Sequence, residues 1–212
     1  MDSLIYMLFV AISVPILLMA CLVEKNSRLP IIFVLIGIFL SVFASEINAY
    51  LRNILPMSTF EITITVTPVS EEILKAFPIL LFATIFTPKS EALFTASMAV
   101  GIGFAVLENA FCLLNSGSFN IFDAIIRAFG AGLMHGMCTL LVGVGISFVK
   151  KKRKLFVVGT FAMLSTAITY HGIYNMLVQS DLRVIGYLLP ITTYIPFLVW
   201  RIRKQTKTEL TQ

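Results

Sequence analysis

Long apolar runs alternate along the chain with short clusters of charged and turn-forming residues. A helix that crosses a bilayer needs about 20 mostly apolar residues. Reading between the clusters gives seven runs of that kind: 3–23, 29–50, 69–87, 91–114, 121–148, 155–178 and 183–200. The pattern therefore predicts an all-α, polytopic membrane helix bundle of about seven spans. The third run is short and begins with charges. Before it lies the only long connection, Leu51 to Pro68, where Glu61-Ile-Thr-Ile-Thr-Val-Thr67 alternates with period two. That alternation predicts a short extended segment at the membrane surface, since its β-branched, Thr-rich composition argues against continuing either flanking helix.

Composition agrees and excludes other classes. Apolar residues make up 58% of the 212 and charged residues 13%, where ordinary globular chains carry about 25% charged. A secreted disulfide scaffold, a disordered tail and a nucleic-acid-binding domain are excluded, despite a net charge of +5. Cys21, Cys112 and Cys138 lie inside apolar runs without metal-type spacing, so they read as small buried hydrophobes. Leu18-Met-Ala-Cys21 looks like a lipoprotein cleavage box, but Met1-Asp2-Ser3 supplies no positive n-region. No internal repeat, low-complexity tract or domain boundary is visible. Residues 1–212 are expected to form one bundle, with its chemistry between about 69 and 178.

Basic residues report orientation. With seven spans, one side of the membrane receives Lys25, Arg28, Lys89, the run Lys150–Lys154, Arg201, Arg203, Lys204 and Lys207, which is 12 residues, against Arg52 and Arg183 on the other. The positive-inside rule then places the C-terminus in the cytoplasm and the N-terminus outside. Contact of the 150–154 run with anionic lipid headgroups is a secondary use.

Ionisable groups within the spans stand out, because each costs several kcal/mol in hydrocarbon. They are Glu46, Glu71, Glu72, Lys75, Glu108, His135 and His171, with Asp123 and Arg127 near a span end. From the helical rise, Glu71 and Glu72 lie about 3–5 Å inside the outer end of their span, Glu46 about 6 Å, Glu108 about 9 Å, His171 about 10 Å and His135 about 12 Å. Acids and imidazoles on five spans thus meet in one layer of the outer leaflet. His171 and Asn175 share a helix face, as do Phe104 and Glu108, and Asn109 follows Glu108. Gly130 and the run Gly132-Leu-Met-His-Gly136 put small residues beside His135, a signal of close packing.

Such a cluster can activate a water for attack on a carbonyl, with Glu as base and His as partner or oxyanion donor. It can equally bind Zn²⁺ through two His and a Glu, leaving a position open; Glu108, His135 and His171 are the candidate ligands. A proton or ion relay in a transporter or channel uses the same residue types without needing convergence. A catalytically silent protein that binds a membrane partner also remains open. Other membrane chemistries fail on their residues. There is no His-Glu-x-x-His, no Gly-x-Ser-Gly, no intramembrane Asp pair and no Lys in the seventh span.

Glu71-Glu72-Ile-Leu-Lys75, then Phe104-Ala-Val-Leu-Glu108-Asn109, His135 and His171-Gly-Ile-Tyr-Asn175 follow one another on four separate spans. In that order they resemble the PrsW family of bacterial intramembrane proteases, which is related to the type II CAAX prenyl proteases. The resemblance covers about half the chain. It implies a multi-pass peptidase of the bacterial cell membrane that makes the extracytoplasmic-side cut in a single-span, membrane-anchored anti-sigma factor. It further implies that Glu71 or Glu72 polarises the attacking water, that Lys75 pairs with the other carboxylate, and that His171 with Asn175 stabilises the oxyanion. The CAAX relatives carry His where this chain has Glu108, so His135 is the candidate to take that place. Both Zn²⁺ and a metal-free glutamate mechanism are compatible with the resemblance.

Overall fold

A computed structural model describes residues 28–115, 121–148 and 153–209, together with scattered positions between 6 and 21. The expected span 3–23 therefore lies partly outside the described residues; those described within it are helical. The elements are α1 (Arg28–Ile54), the single turn α2 (Thr59–Glu61), a π-helical turn (Ile62–Val66), α3 (Thr67–Ile85), α4 (Ser90–Asn115), α5 (Ile121–Ile146), α6 (Arg153–Val178) and α7 (Arg183–Glu209). No strand occurs among the described residues. Among the described residues, four helices are long and apolar enough to cross a membrane: α1, α4, α5 and α6. α3 has the length, but Glu71, Glu72 and Lys75 put three charges within its 19 residues.

The bundle is built around α5. Its apolar stretch is 72% buried, against 11% for that of α6. α4 packs between α1 and α5, while α3 crosses α1, α5 and α6. Ile79, Ala96, Val100, Met134, Cys138 and Ala167 meet in the core. Phe43, Phe77, Phe86, Phe129 and Phe161 point outward, which suits a surrounding of acyl chains rather than water. The same solvent explains the thiols: only Cys138 is buried, Cys112 is half-buried and Cys21 exposed, because an apolar thiol facing lipid has no need of a protein cover.

The expected extended segment is helical. From Thr59 the chain runs without a break through the π-helical turn into α3. Ser58 begins it with a capping box: its Oγ accepts from the Glu61 backbone N–H at 3.2 Å, and its own N–H donates to Glu61 Oε2 at 2.8 Å. The threonines, read as strand formers, instead return their hydroxyls to the preceding turn. Thr63 donates to the Thr59 carbonyl at 2.8 Å and Thr65 to the Glu61 carbonyl at 2.6 Å. A two-residue alternation of Ile and Thr is thus compatible with a helix whose hydroxyls are internally satisfied. The third helix starts earlier than expected, so Glu71 lies about 18 Å along it from Thr59, not within a turn of its start.

This cap yields a modest prediction. Ser58's side-chain and backbone hydrogen bonds hold the Glu61 carboxyl below its ordinary value. Their contribution is present at neutral pH and is lost as pH falls through that lowered pKa. Ser58→Ala should lower stability by about 1 kcal/mol, read as a small drop in Tm in detergent.

Gly101 decides how α4 meets α5. A Cβ there would fall on the His135 carbonyl and within 2.8 Å of the Gly136 Cα. Of the small residues beside His135, Gly130 and Gly136 are closely packed, a Cβ there coming within 3.2 Å of the Tyr187 carbonyl and 3.3 Å of the Ile102 side chain, whereas a Cβ at Gly132 would meet nothing within 4 Å. Gly101→Leu is expected to force α4 and α5 apart, costing about 1–3 kcal/mol or more, and to displace His135. Both a lower Tm and lost activity should follow; a variant with unchanged Tm would contradict the close approach.

Candidate active site

Consecutive residues of a helix point about 100° apart, so Glu71 and Glu72 leave α3 in different directions. Glu72 is fully buried and its Oε1 accepts twice: from Lys75 Nζ at 2.7 Å and from His171 Nδ1 at 2.8 Å. Lys75 Nζ also touches His135 Nδ1 at 2.8 Å and lies 4.7 Å from the centre of the Phe104 ring. Glu71 turns toward α1, where its Oε1 accepts from Asn48 Nδ2 at 3.0 Å. Ser70 Oγ in turn donates to Asn48 Oδ1 at 2.7 Å.

From the other side, α4 brings Glu108. Its Oε2 lies 2.6 Å from His135 Nε2, and its Oε1 lies 3.9 Å from Arg127 of α5. The two imidazoles stand edge to face, 4.9 Å between centroids. A chain of polar contacts therefore runs Glu108–His135–Lys75–Glu72–His171 across α3, α4, α5 and α6. It opens to 3.8 Å between His171 Nε2 and Glu71 Oε2.

That opening is chemically specific. Among the described residues, the buried atoms Glu71 Oε2, Glu72 Oε2, Glu108 Oε2 and His135 Nε2 have no hydrogen bond, and an unpaired buried polar atom is costly. Although Glu108 Oε2 and His135 Nε2 are 2.6 Å apart, they lack hydrogen-bond alignment. Glu71, His135 and His171 each offer a ligand atom, all within 4.8 Å of one another. The carboxylate grouped with both imidazoles in a possible metal-holding arrangement is thus Glu71, whereas the sequence suggests Glu108. The physical reason is the approach of α3, which brings Glu71 Oε2 to 3.8 Å from His171 Nε2, while the Glu108 side chain is about a third (36%) exposed.

Six of the expected residues come together: Glu71, Glu72, Lys75, Glu108, His135 and His171. Asn175 is placed differently. Its Nδ2 donates to the Thr63 carbonyl at 3.0 Å, bracing α6 against the π-helical turn. Gly172 lets that turn approach, since a Cβ there would sit 2.6 Å from the Ile64 carbonyl. A π turn shifts the backbone bonding to i→i+5, as in the Thr67 N–H to Ile62 carbonyl bond, and such turns recur at functional sites. Glu46 does not join the layer; it is exposed and accepts from the Tyr6 hydroxyl at 2.9 Å. The side chain of Asp123 lies outside the described residues. Asn48 and Ser70 were missed, though a polar pair within or beside apolar helices was the available signal. Tyr174, buried with an unbonded hydroxyl, was missed because it reads as an ordinary core aromatic.

Carboxylates and imidazoles converging within a few ångströms, inside a bundle of membrane-spanning helices, are the equipment of a membrane-embedded hydrolytic centre. The model of a PrsW family intramembrane metalloprotease matches residues 25–201. The chain belongs to that family; it is an intramembrane protease and a multi-pass membrane protein. No curated protein and no solved structure matches it.

Proposed function

We propose that the protein hydrolyses a peptide bond of a single-span membrane protein, with the reacting water held in the opening between Glu71 and His171. The observation that supports this most is the 3.8 Å separation of Glu71 Oε2 and His171 Nε2, flanked by unpaired buried acceptors. Because Glu72 Oε1 accepts a hydrogen bond from His171 Nδ1–H, the neutral imidazole keeps its Nε2 lone pair toward the opening. This carboxylate–imidazole pairing is the usual outer-shell support of a metal ligand. Glu71 and His171 are accordingly the residues that would hold Zn²⁺, with the second imidazole, His135, nearby. When bound, the ion lowers the pKa of its water and polarises the substrate carbonyl.

The remaining roles belong to side chains of this chain. Glu108, whose Oε2 stands 2.6 Å from His135 Nε2, takes the proton of the attacking water and delivers it to the departing amide nitrogen. Arg127 holds the other Glu108 oxygen from behind. Glu72 orients His171, and Lys75 neutralises Glu72 where no water reaches. Substrate enters past Glu108. With the orientation favoured by the 12-to-2 distribution of Lys and Arg, that places the cut toward the outer face, consistent with extracytoplasmic cleavage of an anti-sigma factor.

The test is cleavage of a tagged single-span substrate in proteoliposomes. Wild-type protein should cut it, lose activity in chelator and regain it with Zn²⁺. Glu108→Gln should retain the metal but lower kcat by about 10²–10⁴-fold, the usual worth of a proton-transfer group. Full activity of Glu108→Gln, or full activity in chelator, would overturn these assignments.

A further inference from the structure

We infer that the two histidines are held in opposite tautomers, and that His135, fixed by Lys75, is the N–H donor that stabilises the oxyanion. The tautomers follow from the hydrogen bonds alone; the catalytic role of His135 rests on the proteolytic reading above.

An ammonium group carries donors and no acceptor. Lys75 Nζ, 2.7 Å from a Glu72 oxygen and over the Phe104 ring, is in the surroundings of an ammonium. Its 2.8 Å contact with His135 Nδ1 is then a bond that Nδ1 accepts, and the neutral imidazole carries its proton on Nε2. At His171 the polarity reverses. Glu72 Oε1 can only accept, so His171 Nδ1 donates and Nε2 carries the lone pair. One carboxylate–ammonium pair therefore presents one imidazole as a ligand and the other as a donor.

The donor has no well-aligned acceptor. His135 Nε2 is buried and makes no hydrogen bond of good geometry, although Glu108 Oε2 stands 2.6 Å away as its ion-pair partner. A carbonyl oxygen brought to the opening supplies what is missing, and hydrogen bonding strengthens as that oxygen becomes an oxyanion. The groups that the family resemblance offers for this task are otherwise engaged: Asn175 Nδ2 is on the Thr63 carbonyl, and His171 Nε2 has no proton in this arrangement. In this state His135 cannot also be a metal ligand through Nε2, so Glu71 and His171 are the protein ligands.

Two histidines in the whole chain make the test direct. Protein labelled with ¹⁵N-histidine is measured by NMR in nanodiscs, metal-free and with Zn²⁺, and the signals are assigned with His135→Gln and His171→Gln. His171 should appear as the Nδ1–H tautomer and His135 as the Nε2–H tautomer, and Zn²⁺ should perturb His171 Nε2 without removing the His135 proton. His135→Gln, whose amide can still donate, should bind Zn²⁺ in full. With substrate it should lose about 10²–10³-fold in kcat, at nearly unchanged KM. A shared tautomer, or Zn²⁺ bound through His135 Nε2, overturns the inference. Because the tautomers are read without substrate, they stand or fall independently of any failure to find proteolysis.

Discussion

Glu71→Gln is expected to abolish cleavage and zinc binding while leaving the fold intact. The Gln side-chain oxygen can still accept from Asn48, as Glu71 Oε1 does at 3.0 Å, so the α1–α3 contact survives. What is lost is Oε2, the atom that faces His171 Nε2 across 3.8 Å. A neutral amide nitrogen in its place carries neither charge nor lone pair toward that opening. Loss of an outer-shell partner of a metal ligand costs roughly 10–100-fold, and loss of the ligand itself should cost more. Zinc content, cleavage rate and Tm measured on one preparation separate the three effects. A Glu71→Gln protein that keeps its zinc and its activity would remove Glu71 from the centre.

The second large effect falls on stability. Lys75→Met leaves Glu72 buried without its counter-charge, in a place where both side chains are fully enclosed. Breaking a buried ion pair from one side typically costs 3–5 kcal/mol, roughly. The variant should therefore be recovered in low yield with a much reduced Tm, whatever its activity. Replacing both partners, as in Glu72→Leu with Lys75→Met, removes the uncompensated charge and should recover a good part of that stability. It should not recover activity, since His171 loses the acceptor of its Nδ1 proton. Single and double variants of equal Tm would show that the pair contributes no coupling. Neighbouring glutamates are thus predicted to fail in different ways, Glu71 through chemistry and Glu72 largely through folding.

Much of the centre was legible because hydrocarbon makes charge conspicuous. Glu71, Glu72, Lys75, Glu108, His135 and His171 are improbable in apolar helices unless they meet, and they do meet. Less was legible where the signal was local and ambiguous. The Thr-rich stretch before Pro68 suits a strand by alternation, but threonine hydroxyls bonded to the previous turn make it helical. Asn175 shares a helix face with His171, yet the π-helical turn, invisible in the sequence, draws its amide away. Glu46 has the same composition and depth signature as the site residues, and a tyrosine outside the cluster claims it.

The sequence by itself determined the environment, the helical class, the six ionisable groups that converge and the family resemblance. These depend on the transfer energy of side chains and on residue order, both of which are properties of the chain read in one dimension. Only the tertiary structure decided which carboxylate joins the two imidazoles in one group of possible ligands, and which nitrogen of each ring faces the opening. Those outcomes depend on contacts of about 3 Å between different helices. They are set by the crossing of α3 over α5 and α6 and by the approach of α4 at Gly101, which no spacing along a single helix encodes.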